Sequence, residues 1–397
     1  MEMLAIMGGT PVRKDKISYG KQFIDIDDIE AVIKTLQSNY LTCGPEVEGL
    51  EEELCKYTGG RYAAVVSNGT AALHCACIAA GIGPGDEVVT TPLTFAASAN
   101  CAVYCGAVPV FADINSKTYN IDPESIRKNI TNRTKAVIAV DFTGQIVEVE
   151  EIRRICDEYN LVFIEDAAHS IGSMYNGKKA GNLADITTFS FHPVKTVTGG
   201  EGGAVLTNNK DYYNKVLLAR SHGITHNRDL MKENHDEPWY YEEISQGYNY
   251  RITDIQCALV RSQLHKIDWF IVRRKEIVKK YNEAFSVFPE IILQEEIPQA
   301  DTCRHLYILR LNMDMLSCTR LEFFNAMSEE GIQPQVHYIP VYWFPFYQAR
   351  GYKKGICRNA EKVYEEIMSI PLYPAMSDQD TEDVIHAVRK VIENYRK

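Results

Sequence analysis

The sequence predicts an α/β fold, in which a mixed, mostly parallel sheet lies between helices and is followed by a smaller α+β domain. From about residue 60, short β-branched runs alternate with helical patterns, as in YAAVVS followed by GTAALHCACIAAG, which is typical of a parallel sheet covered on both faces. The length of 397 residues allows about two domains. We therefore predict a large α/β domain over residues 1–250 and a connecting helix with a small domain over 251–397.

The strands of the large domain are predicted from apolar runs in chain order. Four of these runs are each followed by a segment long enough for a connection or a helix: YAAVVS, DEVVTT, VPVFADI and KAVIAVDF. The next three runs are LVFIEDAAH, DITTFSFH and GGAVLTNN. They lie too close together for full crossover helices, so short connections must join part of the sheet. The glycine-rich GIGPGD at residues 81–86 precedes a strand, which indicates a turn and not a dinucleotide site.

The C-terminal part begins with helical spacing. Apolar residues recur at helical intervals over residues 251–285 without proline or glycine, which predicts one long helix or two in series. A strand at HLYILRLNM, a helix at RLEFFNAMSEEG, a strand at QPQVHYIPV and a last helix from about Asp378 follow. Ser377 and Asp380 resemble a capping box at the start of that helix. Whether the N-terminal segment packs on this small domain stays open.

Charge and cysteine content exclude several functions. The 53 acidic and 42 basic residues give a net charge of −11, which argues against nucleic acid or an anionic membrane as the main partner. Eleven cysteines without paired CxxC spacing indicate reduced thiols.

No secretory signal and no run of about 18 apolar residues is present in the sequence, so we expect a cytoplasmic location. His222 and His226 lack an accompanying acid or cysteine cluster, so we expect no metal.

Ligands of open α/β sheets bind beyond the carboxyl ends of the strands. At the first such end, VVSNGTAAL turns through Ser67, Asn68 and Gly69 into a helix that begins near Thr70. Free backbone N–H groups and a hydroxyl at a helix start predict an anion site for a phosphate. The alternative is an ordinary N-cap formed by Ser67, Asn68 or Thr70.

Two further strand ends carry ionisable side chains. LVFIEDAAHS ends in Glu165 and Asp166, followed by His169, and a carboxylate there could face a cationic ring nitrogen or be a solvated loop acid. FSFHPVK carries Ser190 and then Lys195 into a glycine-rich loop. A lysine away from bulk water loses its proton easily and can attack an aldehyde, whereas a lone lysine is most often on the surface. A phosphate cradle, a carboxylate and such an amine are what pyridoxal 5'-phosphate (PLP) requires.

These motifs also carry a resemblance. The chain resembles the DegT/DnrJ/EryC1/StrS family of sugar aminotransferases across nearly its whole length. The motifs that carry this resemblance are SNGTAAL, EDAAHS, SFHPVK with GGEGGA, and GYNYRITDIQ. The resemblance implies the PLP-dependent transferase fold type I, as in aspartate aminotransferase. It also implies a ping-pong transaminase, with pyridoxamine phosphate as the intermediate form of the cofactor, and a homodimer whose subunits share active sites.

Residue roles follow from the same resemblance. It implies that Lys195 forms a Schiff base with PLP, that Asp166 pairs with the pyridine nitrogen, and that His169 lies near the ring hydroxyl. It implies that Phe95 stacks on the cofactor ring and that Asn249 binds the phosphate from the neighbouring subunit. The implied phosphate ligands of the same chain are Thr70, Ala71 and Ser190. The implied sugar-facing residues are His337 and Tyr338. From the sequence alone, a plain core phenylalanine is an equally good interpretation of Phe95.

The resemblance also implies a substrate. It is strongest to members that transfer an amino group from L-glutamate to the C4 keto group of a UDP-4-keto-6-deoxy-N-acetylhexosamine in pseudaminic acid synthesis. A different nucleotide-linked keto sugar, with dTDP or GDP and a C3 or C4 keto group, is the first alternative. One branch of the family dehydrates sugars and carries His in place of the Schiff-base lysine, so Lys195 favours transamination. A non-catalytic PLP-binding regulator of the same fold is the last alternative.

Overall fold

A seven-stranded sheet forms the centre of the computed structural model, which describes residues 2–233, 235 and 237–397. Its spatial strand order is β1-β7-β6-β5-β4-β2-β3. In chain order, the strands are β1 (Tyr62–Val66), β2 (Glu87–Thr90), β3 (Val108–Phe111), β4 (Thr134–Val140), β5 (Val162–Asp166), β6 (Ile186–Ser190) and β7 (Gly203–Thr207).

Only one strand of this sheet runs against the others. β7 pairs antiparallel with β1 and β6, and all other neighbouring strands pair parallel. The close spacing of the last strand patterns predicted short connections in part of the sheet, and the reversed strand is β7. The carboxyl ends of β1, β5 and β6 therefore meet at one edge of the sheet, and the mixed, mostly parallel sheet is confirmed.

Helices cover both faces of the sheet. Because side chains alternate along a strand, Phe163 enters the core under α2, α6 and α8, and Ile164 enters the core under α3, α4 and α7. The helices are α1 (Ile26–Leu36), α2 (Pro45–Thr58), α3 (Gly69–Ala79), α4 (Ala97–Tyr104), α5 (Pro123–Asn129), α6 (Val149–Tyr159), α7 (Lys210–Arg220) and α8 (Asp254–Leu264).

The helical stretch after residue 250 forms two helices in series, α8 and α9 (Ile267–Phe285). Val260 of α8 and Ile271 of α9 belong to the core of the sheet, whereas Val278 and Phe285 of α9 belong to a second core. α9 therefore joins the two cores. The domain division between residues 250 and 251 stays a prediction.

The second core surrounds a three-stranded antiparallel sheet made of β8 (Ile291–Ile292), β9 (Tyr307–Leu311) and β10 (Ile367–Ile370). The predicted capping box of Ser377 and Asp380 is present at the start of the last helix. The helices of this region are α10 (Arg320–Glu329), α11 (Pro345–Gln348), α12 (Arg358–Glu366) and α13 (Asp378–Tyr395).

The strand predicted at QPQVHYIPV is wrong. Only the two-residue segment Ile332–Gln333 pairs there, parallel to Ile17–Ser18, and Gln335 forms an isolated bridge. Pro334 and Pro340 have no N–H to donate to a ladder, which limits pairing to this short piece. Other two-residue strands pair Ile224–Thr225 with Glu242–Glu243, and Met174–Tyr175 with Lys178–Lys179 and Ala300–Asp301.

The N-terminal segment packs on the second core, to which Leu4 contributes. The buried Glu330 carboxylate accepts hydrogen bonds from the backbone N–H groups of Ala5 at 2.8 Å and Val12 at 3.0 Å, and it pairs with Lys390 at 2.8 Å. All eleven cysteines are free thiols. None of the helices built from described residues combines the length and the apolar character that crossing a membrane requires.

Candidate active site

The carboxyl ends of β1, β5 and β6 open into a cavity of about 720 Å³. Segments around His305 and His337, from the C-terminal part of the chain, supply its other wall. Every predicted site residue except Asn249 lines this cavity: Thr70, Ala71, Phe95, Asp166, His169, Ser190, Lys195, His337 and Tyr338.

The turn from β1 into α3 builds one corner of the cavity. Asn68 is the N-cap of α3, because its side chain accepts the backbone N–H of Ala71 at 2.8 Å. A Cβ added to Gly69 would lie 2.8 Å from the Cβ of Ser190, so only glycine permits this close approach. The first turn of α3, with Thr70, is thereby held beside the Ser190 end of β6. Hydroxyls and a helix N-terminus at one point suit a phosphate.

Asp166 is buried at the end of β5, with 4% of its surface exposed, so the solvated loop acid is excluded. Its carboxylate accepts a hydrogen bond from the Ser98 hydroxyl at 2.6 Å and from the backbone N–H of Ala168 at 3.2 Å. Burial raises its pKa, and the Ser98 hydrogen bond and the nearby Lys195 oppose that rise. These donors hold the carboxylate in place where it can meet a cationic group.

Lys195 follows β6 through a tight turn in which its backbone N–H donates to the carbonyl of His192 at 2.9 Å. Its side chain is half-buried in the cavity wall and is not a surface lysine. Burial lowers the pKa of Lys195 to about 8, against the opposing attraction of Asp166. An appreciable fraction of the amine is therefore neutral near pH 7, which suits attack on an aldehyde.

His169 contacts two other rings that line the cavity, those of Tyr338 and His305. Its Nε2 is 3.2 Å from the Tyr338 hydroxyl, and its ring centroid is 4.5 Å from that of His305. Burial lowers the pKa of His169 well below its usual range, and Lys195 adds to that effect. Its buried Nδ1 has no hydrogen-bond partner among the residues that the structure describes. His169 is therefore a neutral imidazole in the cavity wall, with one buried nitrogen that no described residue pairs.

Phe95 lies at the cavity mouth with 62% of its surface exposed, so the core interpretation of this residue is wrong. His337 is buried; its Nδ1 is 2.7 Å from the Ser369 hydroxyl, and burial lowers its pKa to about 4. Asn249 is exposed and is not among the residues lining the cavity of its own chain. Its predicted role in a neighbouring subunit stays a prediction.

Sequence reasoning missed three residues of this site. Ser98 holds Asp166 from the first turns of α4, and Tyr19 and His305 line the cavity from segments without a strand-end motif. A weak sequence signal points to Ser98, since its hydroxyl lies four residues after Thr94. Within the described residues, no group of three or more His, Cys, Asp or Glu side chains is placed to hold a metal.

The profile of the DegT/DnrJ/EryC1/StrS aminotransferase family matches residues 22–389. The chain belongs to this family. It is therefore a PLP-dependent sugar aminotransferase, with the α/β fold that the family shares.

Two curated relatives and two solved structures illustrate the similarity. The Campylobacter jejuni UDP-4-amino-4,6-dideoxy-N-acetyl-beta-L-altrosamine transaminase is 39% identical over 96% of this chain and 99% of its own. The spore coat polysaccharide biosynthesis protein SpsC of Bacillus subtilis is 38% identical over 96% of this chain and 98% of its own.

Helicobacter pylori PseC, an aminotransferase of pseudoaminic acid biosynthesis, is 32% identical, with a TM-score of 0.89 over 96% of this chain and 100% of PseC. The PLP form of Spr1654 from Streptococcus pneumoniae, described as a sugar aminotransferase, is 28% identical, with a TM-score of 0.88 over 96% of this chain and 99% of its own.

The residues around the cavity fit PLP. Among the described residues, no arginine pairs with the buried Asp166 carboxylate and nothing pairs with Nδ1 of His169, and Lys195 has a lowered pKa. The hydroxyl of Ser190 and the start of α3 provide neutral donors for a phosphate. Each polar part of the cofactor thus has a complementary group in one cavity.

Proposed function

We propose that this aminotransferase moves an amino group from L-glutamate to the C4 keto group of a UDP-4-keto-6-deoxy-N-acetylhexosamine. The observation that carries the chemistry is the presence of Lys195, with its lowered pKa, and buried Asp166 in one cavity. The substrate is supported by the similarity, at 39% identity, to a transaminase whose name specifies a sugar of this kind.

When bound, PLP supplies an electron sink for the carbanion formed as the amino group moves. Asp166 would keep the pyridine nitrogen protonated, since a carboxylate stabilises the adjacent cation. Lys195 would first bind the cofactor and then carry a proton between cofactor and substrate carbons in both half-reactions. Thr70 and Ser190 would hold the phosphate by a hydroxyl or a backbone N–H. Ala71 would contribute its backbone N–H by sharing or exchanging the hydrogen bond that it donates to Asn68.

The other walls orient the ligands. Phe95 would cover one face of the cofactor ring from the cavity mouth and exclude water from it. His337 would face the sugar, and its low pKa keeps the imidazole neutral so that it can donate to or accept from a hydroxyl.

A homodimer belongs to the same proposal. Among the described residues, Lys195 is the only Lys or Arg that lines the cavity, whereas a nucleotide diphosphate and a donor carboxylate are both anionic. Positive charge must therefore come from outside this cavity, and a second copy of the chain can supply it. The exposed Asn249 would extend from that copy to the cofactor phosphate. Measuring the mass in solution, with and without PLP, tests the dimer.

Substrate identity is tested with a panel of UDP-, dTDP- and GDP-linked 3-keto and 4-keto sugars, each incubated with purified holoenzyme and L-glutamate. The expected result is amination of the UDP-4-keto-6-deoxy-N-acetylhexosamine with the highest kcat/KM. D-glutamate serves as the donor control. Faster amination of a dTDP or GDP sugar would replace the substrate but keep the activity.

The role of Lys195 is tested separately. Borohydride reduction followed by peptide mapping should place the reduced cofactor on Lys195. L-glutamate alone should bleach the visible cofactor band, because the donor half-reaction needs no sugar. A bound cofactor that neither bleaches with glutamate nor with other amino acids would instead favour the non-catalytic regulator.

A further inference from the structure

Three thiols lie together where α3 packs against α4. Cys77 of α3 is hydrogen-bonded to Cys101 of α4 and to Cys105, the residue that caps the carboxyl end of α4. Cys77 and Cys101 are buried, whereas Cys105 is half-buried and is flanked in the chain by the exposed residues Tyr104 and Gly106. One thiol of the cluster can therefore meet a small solute, and a second thiol is in contact with it.

A histidine adjoins the accessible thiol. The imidazole of His74, which lies one helical turn before Cys77 on α3, is hydrogen-bonded to Cys105. Its Nδ1 is 3.1 Å from the Tyr250 hydroxyl, and this contact orients the ring. A thiol, an imidazole and a third group that orients the imidazole form the arrangement that activates cysteine nucleophiles.

The neighbours of Cys105 favour its thiolate. The hydrogen bond from Cys77 lowers the pKa of Cys105 against the opposing effect of burial, and His74 lowers it further. The ionisable groups around this thiol are Cys77, His74, Cys75 and Tyr250, and no carboxylate is among them. The carboxyl end of α4 opposes a negative charge on Cys105, but hydrogen bonds act at contact distance and are stronger than the effect of a helix dipole.

The second thiol of the pair stays protonated while the first is charged. Hydrogen bonds to Cys101 and Cys105 raise the pKa of Cys77 well above its usual value, and burial adds to the rise. Oxidation of Cys105 removes its negative charge, so Cys77 can then lose its proton more easily. Cys101 is less suited to this role, because its thiol already donates to the Ser98 carbonyl at 3.3 Å.

We propose that Cys105 is an oxidation site, at which hydrogen peroxide converts the thiol to a sulfenic acid and Cys77 then closes a disulfide. In the first step the sulfur of Cys105 attacks one peroxide oxygen and the O–O bond breaks. The departing hydroxide takes up the thiol proton and leaves as water. In the second step the sulfur of Cys77 attacks the sulfur of Cys105, the S–O bond breaks, and hydroxide leaves as water with the Cys77 proton. Two electrons pass from the thiol pair to the peroxide.

The first test measures thiol reactivity in the holoenzyme. Iodoacetamide at pH 6, followed by peptide mapping, should label Cys105 at least about tenfold faster than Cys55, because the thiolate is the reacting form. Cys55 is the matched control, since it is also half-buried but burial and neighbouring acids raise its pKa. His74→Asn should remove the preference for Cys105. Equal labelling rates of Cys105 and Cys55 in the wild-type protein would overturn the inference.

The second test follows the disulfide. After one equivalent of hydrogen peroxide, a non-reducing peptide map should show Cys77 joined to Cys105, and dithiothreitol should reverse the bond. Cys77→Ser should stop at the sulfenic acid, which dimedone traps, whereas Cys156→Ser, at a buried cysteine of the other sheet face, should give the wild-type map. A bridge from Cys105 to Cys101, or no bridge in the wild-type protein, would contradict the role of Cys77. None of these measurements depends on transamination, so the proposed function stands or falls separately.

Discussion

The two walls of the active-site cavity are built in different ways. The strand-end wall takes Asp166, Ser190 and Lys195 from the ends of neighbouring strands and the turn that follows them. The opposite wall takes His305 and His337 from segments that share no regular element. Parallel strands bring their ends together automatically, whereas the opposite wall depends on contacts between distant segments of the chain.

The polar side chains around the cavity also differ in how many hydrogen bonds they form within this chain. Asp166 already has two donors within this chain, so its position is fixed before a ligand binds. His169, just after β5, and His305, on the opposite wall, each bury an Nδ1 that has no partner among the described residues. The position of Asp166 is therefore preorganised, whereas two histidines of the cavity have a ring nitrogen that no described residue pairs. Substitutions on the two sides should separate cofactor effects from substrate effects.

Lys195→Ala should have the largest effect. Without the amine, no covalent bond to PLP can form and no group carries the proton, so turnover should fall by at least about 10²–10⁴-fold. The visible band of the lysine-bound cofactor should be lost. Lys178→Ala, at an exposed lysine far from the motif, is the control and should behave as wild type. A wild-type spectrum in Lys195→Ala would move the attachment elsewhere.

Asp166→Asn should come next. The amide keeps the shape but removes the charge that holds the pyridine nitrogen protonated, so both half-reactions should slow by about 10²–10³-fold while some PLP is retained. Ser98→Ala removes only one hydrogen bond to that carboxylate and should cost about tenfold. Stopped-flow absorbance of the glutamate half-reaction measures both. Equal rates in wild type and Asp166→Asn would contradict the role.

The pH dependence of cofactor capture should report the lowered pKa of Lys195. With a pKa of about 8, about one tenth of the amine is neutral at pH 7 and about nine tenths at pH 9, so the capture rate should rise about ninefold and then level off. The rate is followed by absorbance after PLP is added to apoenzyme. Propylamine measured in parallel corrects for the ionisation of PLP itself. A rate still climbing toward pH 10.5 would indicate an exposed lysine.

Gly69→Ala should damage the strand-end wall alone. The added Cβ would lie 2.8 Å from the Cβ of Ser190, so the start of α3 must move, and PLP affinity should fall by about tenfold. Gly83→Ala is the matched control, because its Cβ would meet open space. Equilibrium titration of each apoprotein with PLP gives the two Kd values. Matching Kd values for the two variants would show that this corner does not hold the phosphate.

His337→Ala should have the smallest effect, confined to the sugar. Loss of one hydrogen bond should raise KM for the keto sugar by about fivefold to tenfold and leave the Kd for PLP unchanged. Ser369→Ala removes the partner at 2.7 Å and should give a smaller rise in KM. Steady-state kinetics with saturating L-glutamate measures both. A change in the Kd for PLP of similar size would place His337 on the cofactor side.

The strand-end wall could be predicted from sequence because each group follows a recognisable apolar run. Asp166 directly ends β5 and Ser190 ends β6, so local pattern and sheet geometry together fix their positions. The strand predicted around His337 failed for the opposite reason. Its alternating apolar residues are buried by contacts with distant segments, and prolines prevent a ladder. Alternation of apolar and polar residues alone does not distinguish a true strand from an irregular segment that distant contacts bury.

The sequence by itself determined the α/β architecture, the mixed character of the sheet and the positions of Asp166 and Ser190 at strand ends, since these depend on residues close together in the chain. Tertiary structure decided that Ser98 holds Asp166, that Phe95 lies at the cavity mouth, and that Tyr338 meets His169. Those contacts join residues tens to hundreds of positions apart. Their distances depend on how separate elements of the chain pack against each other, which no local pattern encodes.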